Sequence, residues 1–226
     1  MNVGARLMAS HIIKLMARAL TYSMTSKLTG IATSTMVRYV KGKTLPRSED
    51  TIVRIKKVYD QYGRQLLLER YMDRLQTLGE NYAQDFELTK FIAWDLAEWL
   101  LGRRCHGILS LDQFIVPVAS IVAYFYDLRH AMATNIPNGG DILIVYGDPP
   151  TTLFIPTQGL KRGATIAVAA TKTRESLFQE LVTKLAEKNI HVENIYAVYG
   201  RHGVVVRNPV KKTLVNYRYL VKEARA

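Results

Sequence analysis

The segment from Thr165 to Leu181 combines residue types that can bind a phosphate group. An apolar run, TIAVAA, leads into a loop of hydroxyl and basic side chains and then into a helical pattern. Hydroxyls, backbone N–H groups and the positive end of a helix dipole would converge there, which favours an anion. We predict a ligand (phosphate)-binding loop formed by Thr171, Lys172, Thr173, Arg174, Glu175 and Ser176. The alternative is a plain helix start without a ligand, capped by Thr173.

A second set of residues has the types that contact nucleic acid. Hydroxyl and arginine side chains at the start of a helix can reach base edges, and we assign this role to Thr33, Ser34, Thr35 and Arg38. Lysines and arginines that follow would contact phosphates, and we assign this role to Lys41, Lys43 and Arg47. Arg38 has an alternative role as the partner of a carboxylate within the fold. We predict double-stranded DNA as the partner.

The charge of the chain agrees with a polyanionic partner. The formal net charge is +12, and residues 1–80 contain 14 Lys and Arg against 6 Asp and Glu. Such an excess favours contacts with nucleic acid that release counterions. The alternative is a generally basic protein without such a partner.

Composition also excludes several kinds of site. Cys105 is the single cysteine, so an internal disulfide and a cysteine cluster are excluded. The five histidines show no metal-ligand spacing, and we predict no metal and no cofactor. No apolar run is long enough to span a membrane, so we expect a cytoplasmic protein with no membrane partner.

The first eighty residues carry the signals of consecutive helices. Apolar residues at helical spacing predict a helix within residues 5–20. Gly30 is placed to end a second helix in the left-handed conformation, Thr33 and Ser34 to cap a third, and Ser48 to begin a fourth. Apolar and charged residues then alternate at helical period over residues 52–78, with an interruption of the helix expected at Gly63 alone.

The rest of the chain alternates between helix and strand patterns. Apolar strands such as ILSL, ILIVY, TLFIP, TIAVAA and NIYAVYG are separated by helical segments, which predicts an α/β domain with a mostly parallel sheet. Ligands of such sheets bind at the carboxyl ends of the strands. We divide the chain into residues 1–60, a linker helix at 61–86, and residues 87–226.

The run LTGIATSTMVRYVKGKTLP resembles the helix-turn-helix of prokaryotic transcription regulators, in its archaeal version. The resemblance implies an N-terminal all-α helix-turn-helix domain that binds DNA, and a homodimer that reads two half-sites. Thr25 departs from the pattern, because an aliphatic residue is commoner there. A three-helix module for protein interaction is the alternative.

The run GLKRGATIAVAATKTRESLFQELVTKLAEKN, with GILSLDQFIVPVA before it, resembles the type I phosphoribosyltransferase fold, in its orotate phosphoribosyltransferase-like form. The family's strand ends in two acidic residues that hold ribose hydroxyls, and those positions fall on Ala169 and Ala170. Alanine cannot accept these hydrogen bonds, a loss of about 1.5 to 3 kcal/mol for each contact.

Two loops also depart from the family pattern. Asp112 and its neighbours stand where the family has a glycine-rich turn for pyrophosphate, and Asp112 would repel that anion. Residues 137–140 and the GDPPTT turn are short for a catalytic loop. We therefore expect no catalytic residues, and a chain that is not an enzyme.

These observations favour a DNA-binding transcription regulator whose phosphoribosyltransferase-like domain serves dimerisation and senses a nucleotide or other phosphorylated ligand at residues 171–176. Ligand binding would then bias the placement of the DNA-reading domains. One alternative is an active, divergent phosphoribosyltransferase of nucleotide metabolism. Another is a structural nucleic-acid-associated protein without a ligand.

Overall fold

The computed structural model describes residues 3–137, 141–147 and 152–223, with side chains from Arg6 onward. Contacts divide the chain into two units, Met1–Gly79 and Glu80–Ala226. The described part of the first unit is helical, and the described strands all belong to the second. No helix within these ranges is long and apolar enough to cross a membrane.

The first unit is a set of helices packed around α1. Its elements are α1 (Val3–Leu20), α2 (Tyr22–Thr29), α3 (Thr33–Val40), α4 (Glu49–Val58), a π-helical turn (Tyr59–Gly63) and α5 (Arg64–Leu78). Helix α1 contacts each of the other four α-helices. Its apolar side chains Ile12, Ile13, Leu15 and Met16 are buried, as their helical spacing predicts.

Short-range signals at the helix ends agree with the structure at two positions and differ at a third. Gly30 ends α2 in the left-handed conformation, with φ 64°. The Ser48 side chain accepts a hydrogen bond from the Thr51 N–H and so caps α4. The prediction that Thr33 and Ser34 cap α3 is wrong. The N-cap residue is Ala32, and the two hydroxyl residues lie inside the first turn.

The long helical pattern over residues 52–78 forms α4, the π turn and α5 without a break in helical conformation. Gly63 lies in the π turn, and a Cβ atom there would be 3.2 Å from Met16 Sδ. The glycine therefore lets Met16 of α1 approach the π turn closely. Helix α5 also contacts α1, so this segment is part of the first unit.

The second unit is built from helices around a parallel sheet, with a separate hairpin. Its elements, after a 3₁₀ segment at Gly79–Gln84, are α6 (Phe86–Leu100), β1 (Gly107–Ser110), α7 (Val116–Tyr126), β2 (Arg129–Met132), β3 (Ile142–Tyr146), β4 (Thr152–Pro156), β5 (Thr165–Lys172), α8 (Glu175–Glu187), β6 (His191–Gly200) and β7 (Asn216–Lys222).

The five-stranded sheet has the order β2-β1-β5-β6-β7, and its four pairings are all parallel. From β1 the chain moves to one edge through α7 and β2, and from β5 it moves to the other edge through α8, β6 and β7. The direction of winding therefore reverses between β1 and β5. Strands β3 and β4 pair with each other as an antiparallel hairpin. The predicted α/β fold with a mostly parallel sheet is confirmed.

Helices cover both faces of the sheet, which explains why β5 is apolar along its whole length. Ile166, Val168 and Ala170 lie in one cluster with the apolar face of α8 and the inner side of the hairpin. On the other face α6 packs with Trp99 against Tyr196, whose ring centroids are 6.1 Å apart. A strand buried on both faces reads as a continuous apolar run rather than an alternating one.

Strand β7 is absent from the predicted elements. It forms one edge of the sheet, pairs with β6 alone and carries charged residues such as Arg218 and Lys222. Its sequence, NYRYLVK, therefore lacks the continuous apolar character that identified β5 and β6. The position of β7 is decided by its pairing with β6. The two strands are separated in sequence by the loop between Gly200 and Asn216.

Candidate functional site

A cavity of about 620 Å³ lies at the carboxyl ends of β1 and β5, where the winding of the sheet reverses. Open α/β sheets bind their ligands in the crevice at this position. The walls come from the loops after β1 and β2, the hairpin, the end of β5 and the start of α8. The polar and charged lining residues are Glu80, Asp112, Gln113, Thr134, Asn135, Thr152, Thr171, Lys172 and Arg174.

The end of β5 brings one residue of the pair Ala169 and Ala170 to this cavity. Ala170 lines the cavity and is only 3% exposed, whereas Ala169 is fully buried and lies outside the lining. Successive side chains of a strand point to opposite faces of the sheet, so a single position of this pair reaches the ligand side. The strand end therefore offers a methyl group, and the polar groups of the cavity come from other segments.

Asp112 holds the loop after β1 against the end of β5. One carboxylate oxygen accepts a 2.7 Å hydrogen bond from the Thr171 N–H, and the other accepts a 2.6 Å bond from the Thr171 hydroxyl. The N–H groups of Phe114 and Ile115 donate to the same carboxylate at 3.1 Å. Four donors thus offset the charge of Asp112. Asp112 therefore positions the loop after β1 and the end of β5 relative to each other. The sequence analysis missed this role because it considered only the repulsion between Asp112 and pyrophosphate.

Tyr82 contacts the same loop through a buried hydrogen bond to Thr171. Its side chain is fully buried, and its hydroxyl lies 3.2 Å from the Thr171 hydroxyl. Burial raises the pKa of Tyr82, so the phenol keeps its proton and can act as a donor. Tyr82 and Glu80 lie within residues 61–86, which the sequence analysis assigns to a linker helix without a role in ligand binding. Only the fold brings that segment beside β5.

The amino end of α8 opens on the cavity without a side-chain cap. The N-cap residue is Arg174, and no side-chain hydrogen bond caps the helix there. The Thr173 hydroxyl donates to the Tyr199 carbonyl at 3.3 Å and also bonds to the Tyr217 hydroxyl. Thr173 therefore does not cap α8, as the ligand-free alternative required. Arg174 lines the cavity, so the positive end of the helix dipole lies beside it.

The six residues of the predicted phosphate loop divide into two groups. Thr171, Lys172 and Arg174 line the cavity. The others lie outside the lining, and Glu175 turns away to accept a hydrogen bond from the Val205 N–H at 3.2 Å. This removes one negative charge from the ligand side of the helix start. Lys172 forms an ion pair with Glu80 at the rim of the cavity.

The predicted nucleic-acid contacts lie on one segment of the first unit. Thr33, Ser34 and Arg38 are exposed on α3, and Thr35 is half-buried. The three cations assigned to phosphates, Lys41, Lys43 and Arg47, are also exposed. Among the described residues Arg38 forms no ion pair, so the alternative role of Arg38 as the partner of a carboxylate is not observed in this part of the chain. Thr25, the departure from the motif, is buried and donates its hydroxyl proton to the Thr21 carbonyl at 2.8 Å.

Two other predictions concern a metal ion and the two short loops. Among the described residues, no group of three or more His, Cys, Asp or Glu side chains is arranged to hold a metal ion. Residues 138–140 and 148–151, which contain most of the two short loops compared with the family's catalytic loop, lie outside the described residues.

Solved structures of adenine phosphoribosyltransferases are similar to this chain. The protein from Thermoanaerobacter pseudethanolicus matches with a TM-score of 0.52 and 13% identity, over 63% of this chain and 84% of that one. The Leishmania donovani protein matches with a TM-score of 0.53 and 11% identity, over 63% and 68%. The Trypanosoma brucei protein, in complex with AMP, pyrophosphate and ribose-5-phosphate, matches with a TM-score of 0.52 and 10% identity, over 64% and 68%.

At these identities the likeness establishes a phosphoribosyltransferase-type fold over somewhat less than two thirds of the chain. No protein-family model and no curated protein matches the sequence.

The expectation that the chain is not an enzyme is contradicted, because the similar solved structures are those of enzymes. That expectation rested on Ala169 and Ala170 in place of carboxylates, on repulsion of pyrophosphate by Asp112, and on two loops that are short for a catalytic loop. The cavity also receives Glu80 and Asp112 from segments distant in sequence. The absence of acids from one strand therefore does not remove carboxylates from the site.

Proposed function

We propose that the second unit is a divergent phosphoribosyltransferase, and that its cavity binds a nucleotide or a phosphoribosyl compound. The observation that carries the proposal is the uncapped amino end of α8, which meets Lys172 and Arg174 in a cavity where the winding of the sheet reverses. The phosphoribosyltransferase-type fold supports the class of ligand. A cavity of about 620 Å³ lies within the usual range for small-molecule sites.

In this proposal the phosphate group binds at the start of α8. The helix dipole and the first-turn N–H groups favour the anion, and Lys172 and Arg174 supply opposite charge. Asp112 acts through Thr171, since it fixes the loop on which these groups stand. Across the cavity, Thr134, Asn135 and Thr152 provide polar groups for the rest of the ligand.

Glu80 gives the site a carboxylate that competes with the ligand for Lys172. A phosphate that binds Lys172 must displace Glu80, and the released carboxylate is then available to accept hydrogen bonds from sugar hydroxyls. Glu80→Gln should therefore strengthen binding of inorganic pyrophosphate, which has no hydroxyls to hold. Its effect on AMP should be smaller or opposite, because AMP would lose an acceptor for its ribose.

The first experiment is calorimetric titration with AMP, together with an assay of adenine-dependent pyrophosphate release from phosphoribosyl pyrophosphate. Arg174→Ala should raise the Kd for AMP about tenfold or more, the effect of losing one charge-assisted hydrogen bond. Arg207→Ala is the matched control, because Arg207 is exposed in the same unit and outside the cavity. Equal effects of the two variants, or no binding of AMP, would contradict the ligand site. Binding without turnover of adenine or another nucleobase would contradict the transferase activity.

A second candidate function belongs to the first unit, for which we propose DNA binding through α2 and α3. The supporting observation is a run of exposed hydroxyl and basic side chains on and just after α3, with Met36 of the same helix fully buried. Gly30 sets the turn between the two helices in the left-handed conformation. This arrangement supports a helix-turn-helix in which α3 enters the major groove. A homodimer would read two half-sites.

Selection from a random-sequence duplex library, followed by fluorescence anisotropy, tests this function. Arg38→Ala should weaken binding to the selected sequence by about tenfold and relax its preference at one base pair. Arg70→Ala, an equal change of charge at an exposed position of α5, should have a small effect. Equal losses for both variants, or no enrichment of any sequence, would contradict sequence-specific binding. Sedimentation equilibrium measures the proposed dimer.

A further inference from the structure

The second unit has another cavity at the opposite end of its strands. This cavity has a volume of about 430 Å³ and lies where β1, β2 and β5 begin. Because these strands are parallel, their amino ends lie together at one end of the sheet and their carboxyl ends lie together at the other end. The two cavities are therefore separated by the length of the strands. The function proposed above uses only the one at the carboxyl ends.

The lining of the second cavity is strongly basic. Four cations lie on it: Arg104 before β1, Arg129 at the start of β2, and Lys161 and Arg162 in the turn before β5. All four side chains are exposed, and none forms an ion pair within the described residues. Asp127 is the one carboxylate residue among the lining residues, so four positive charges and one negative charge give a formal balance of +3.

A neighbouring histidine adds a polar ring to the same lining. His106 is held there by Thr165, whose N–H donates to His106 Nδ1 at 3.0 Å. Leu128, Leu160 and Ile166 provide apolar walls. A cavity that combines apolar walls with several basic lining residues has the composition of a ligand site rather than that of a uniformly solvated basic surface.

Electrostatics favours an anion between these cations. Like charges that share a cavity repel one another, and an anion between them replaces that repulsion with attraction. Helix α7 ends at Tyr126, and the partial negative charge of its carboxyl end offsets part of the positive charge. That end carries no basic residue in its last turn, and a single helix end is too weak to balance four cations.

We propose that this second cavity binds a phosphate-bearing anion, independently of the site at the carboxyl ends of the strands. Phosphate oxygens suit arginine side chains, which can donate two parallel hydrogen bonds to them. The phosphate comes either from a free nucleotide or pyrophosphate, or from the backbone of a nucleic acid. These two sources share the same contacts with the cavity and are distinguished by experiment.

Cys105 provides a direct reporter of this cavity. It is the single cysteine of the chain, it lies on the lining, and it is half-buried. Its thiol donates to the Gly107 carbonyl at 3.2 Å, and burial raises its pKa. Alkylation by iodoacetamide at about pH 9, where more of the thiol is ionised, can therefore be followed by intact-protein mass spectrometry. A ligand in the cavity should slow this reaction, and a ligand at the other site should not.

The experiment measures alkylation of the full chain with inorganic pyrophosphate, AMP or a single-stranded oligothymidylate, each at constant ionic strength. We expect at least one probe to slow alkylation several-fold in a saturable manner, and the double variant Lys161→Ala/Arg162→Ala to raise its half-protecting concentration about tenfold or more. The control double variant Lys212→Ala/Lys222→Ala removes the same charge from exposed positions outside both cavities and should retain protection.

Protection by pyrophosphate or AMP would identify a small-molecule source, and protection by the oligonucleotide at much lower concentration a nucleic-acid source. Both results support the site. No protection by any probe, equal protection by sodium chloride, or equal losses in the two double variants would overturn it. Arg174→Ala separates this result from the proposed transferase site, because it should weaken AMP binding there about tenfold or more and leave Cys105 protection unchanged.

Discussion

Replacement of Asp95 by alanine should destabilise the second unit strongly. Asp95 lies in α6 and is fully buried. One carboxylate oxygen accepts a 2.7 Å hydrogen bond from Arg218 Nη2, and the other accepts a 3.1 Å bond from the Tyr196 hydroxyl. The residue therefore ties α6 to β6 and to the edge strand β7. Its removal takes one partner from a buried ion pair and leaves the other in place.

The magnitude follows from the surroundings of Arg218. Removing one partner of a buried ion pair costs about 3 to 5 kcal/mol. The Arg218 side chain is 22% exposed, and its Nη1 atom lies 3.6 Å from Glu98 Oε2. Water and Glu98 therefore compensate in part for the loss of the Asp95 carboxylate. We therefore expect Asp95→Ala to lower the free energy of unfolding by about 3 kcal/mol, near the lower end of that range. Asp95→Asn keeps the shape and an acceptor for Tyr196, and should cost about 1 to 2 kcal/mol.

Intrinsic tryptophan fluorescence is a suitable assay, because the two tryptophans of the chain, Trp94 and Trp99, both lie in α6. A loss of about 3 kcal/mol corresponds to a decrease of roughly 6 to 12 °C in Tm for a domain of this size. Asp141→Ala, which removes an exposed carboxylate from the same unit, should leave Tm almost unchanged. A decrease of less than about 2 °C for Asp95→Ala would refute the reasoning, since it would mean that the ion pair contributes no more than an exposed one.

Three further predictions concern the sheet and its loops. Gly200→Ala should lower the stability of the second unit by about 1 to 3 kcal/mol in urea unfolding, because the added Cβ would overlap the Tyr217 hydroxyl; an unchanged midpoint would contradict this packing. Burial lowers the pKa of His130, so the unfolded chain binds a proton more readily. Stability should therefore fall as the pH decreases below about 6.5, and His130→Gln should flatten that part of the profile; an identical profile would argue against it. Asp112→Ala should weaken AMP binding and cost about 1 to 3 kcal/mol, because it deprives the Thr171 N–H and hydroxyl of their acceptor; unchanged Kd and Tm would exclude that role.

Much of the fold could be predicted because its signals are local. The continuous apolar run of β5, the left-handed Gly30 and the Ser48 cap are all decided within a few residues, and each is present in the structure. Strand β7 could not be predicted in this way. Its burial is partial and its charged side chains find partners such as Asp95 only after folding.

The candidate site was predicted in part. The corner between β5 and α8 was identified from its residue types, because a strand end, a polar loop and a helix start are adjacent in sequence. The prediction of an inactive chain was wrong for a related reason. It considered Ala169 and Ala170, the loop at Asp112 and two short loops one at a time, and it did not predict that Glu80 and Asp112 lie on the same cavity as the end of β5.

The sequence by itself determined the α/β character of the second unit, the helices of the first, and the basic, hydroxyl-rich loop before α8. These depend on periodicity, capping and charge, which act between neighbouring residues. Only the tertiary structure decided that Asp112 and Tyr82 hold that loop, that Thr173 leaves α8 uncapped, and that four cations surround a second cavity. Each of these requires residues from separate segments to meet, and parallel strand pairing, whose partners are distant in the chain, is what brings them together.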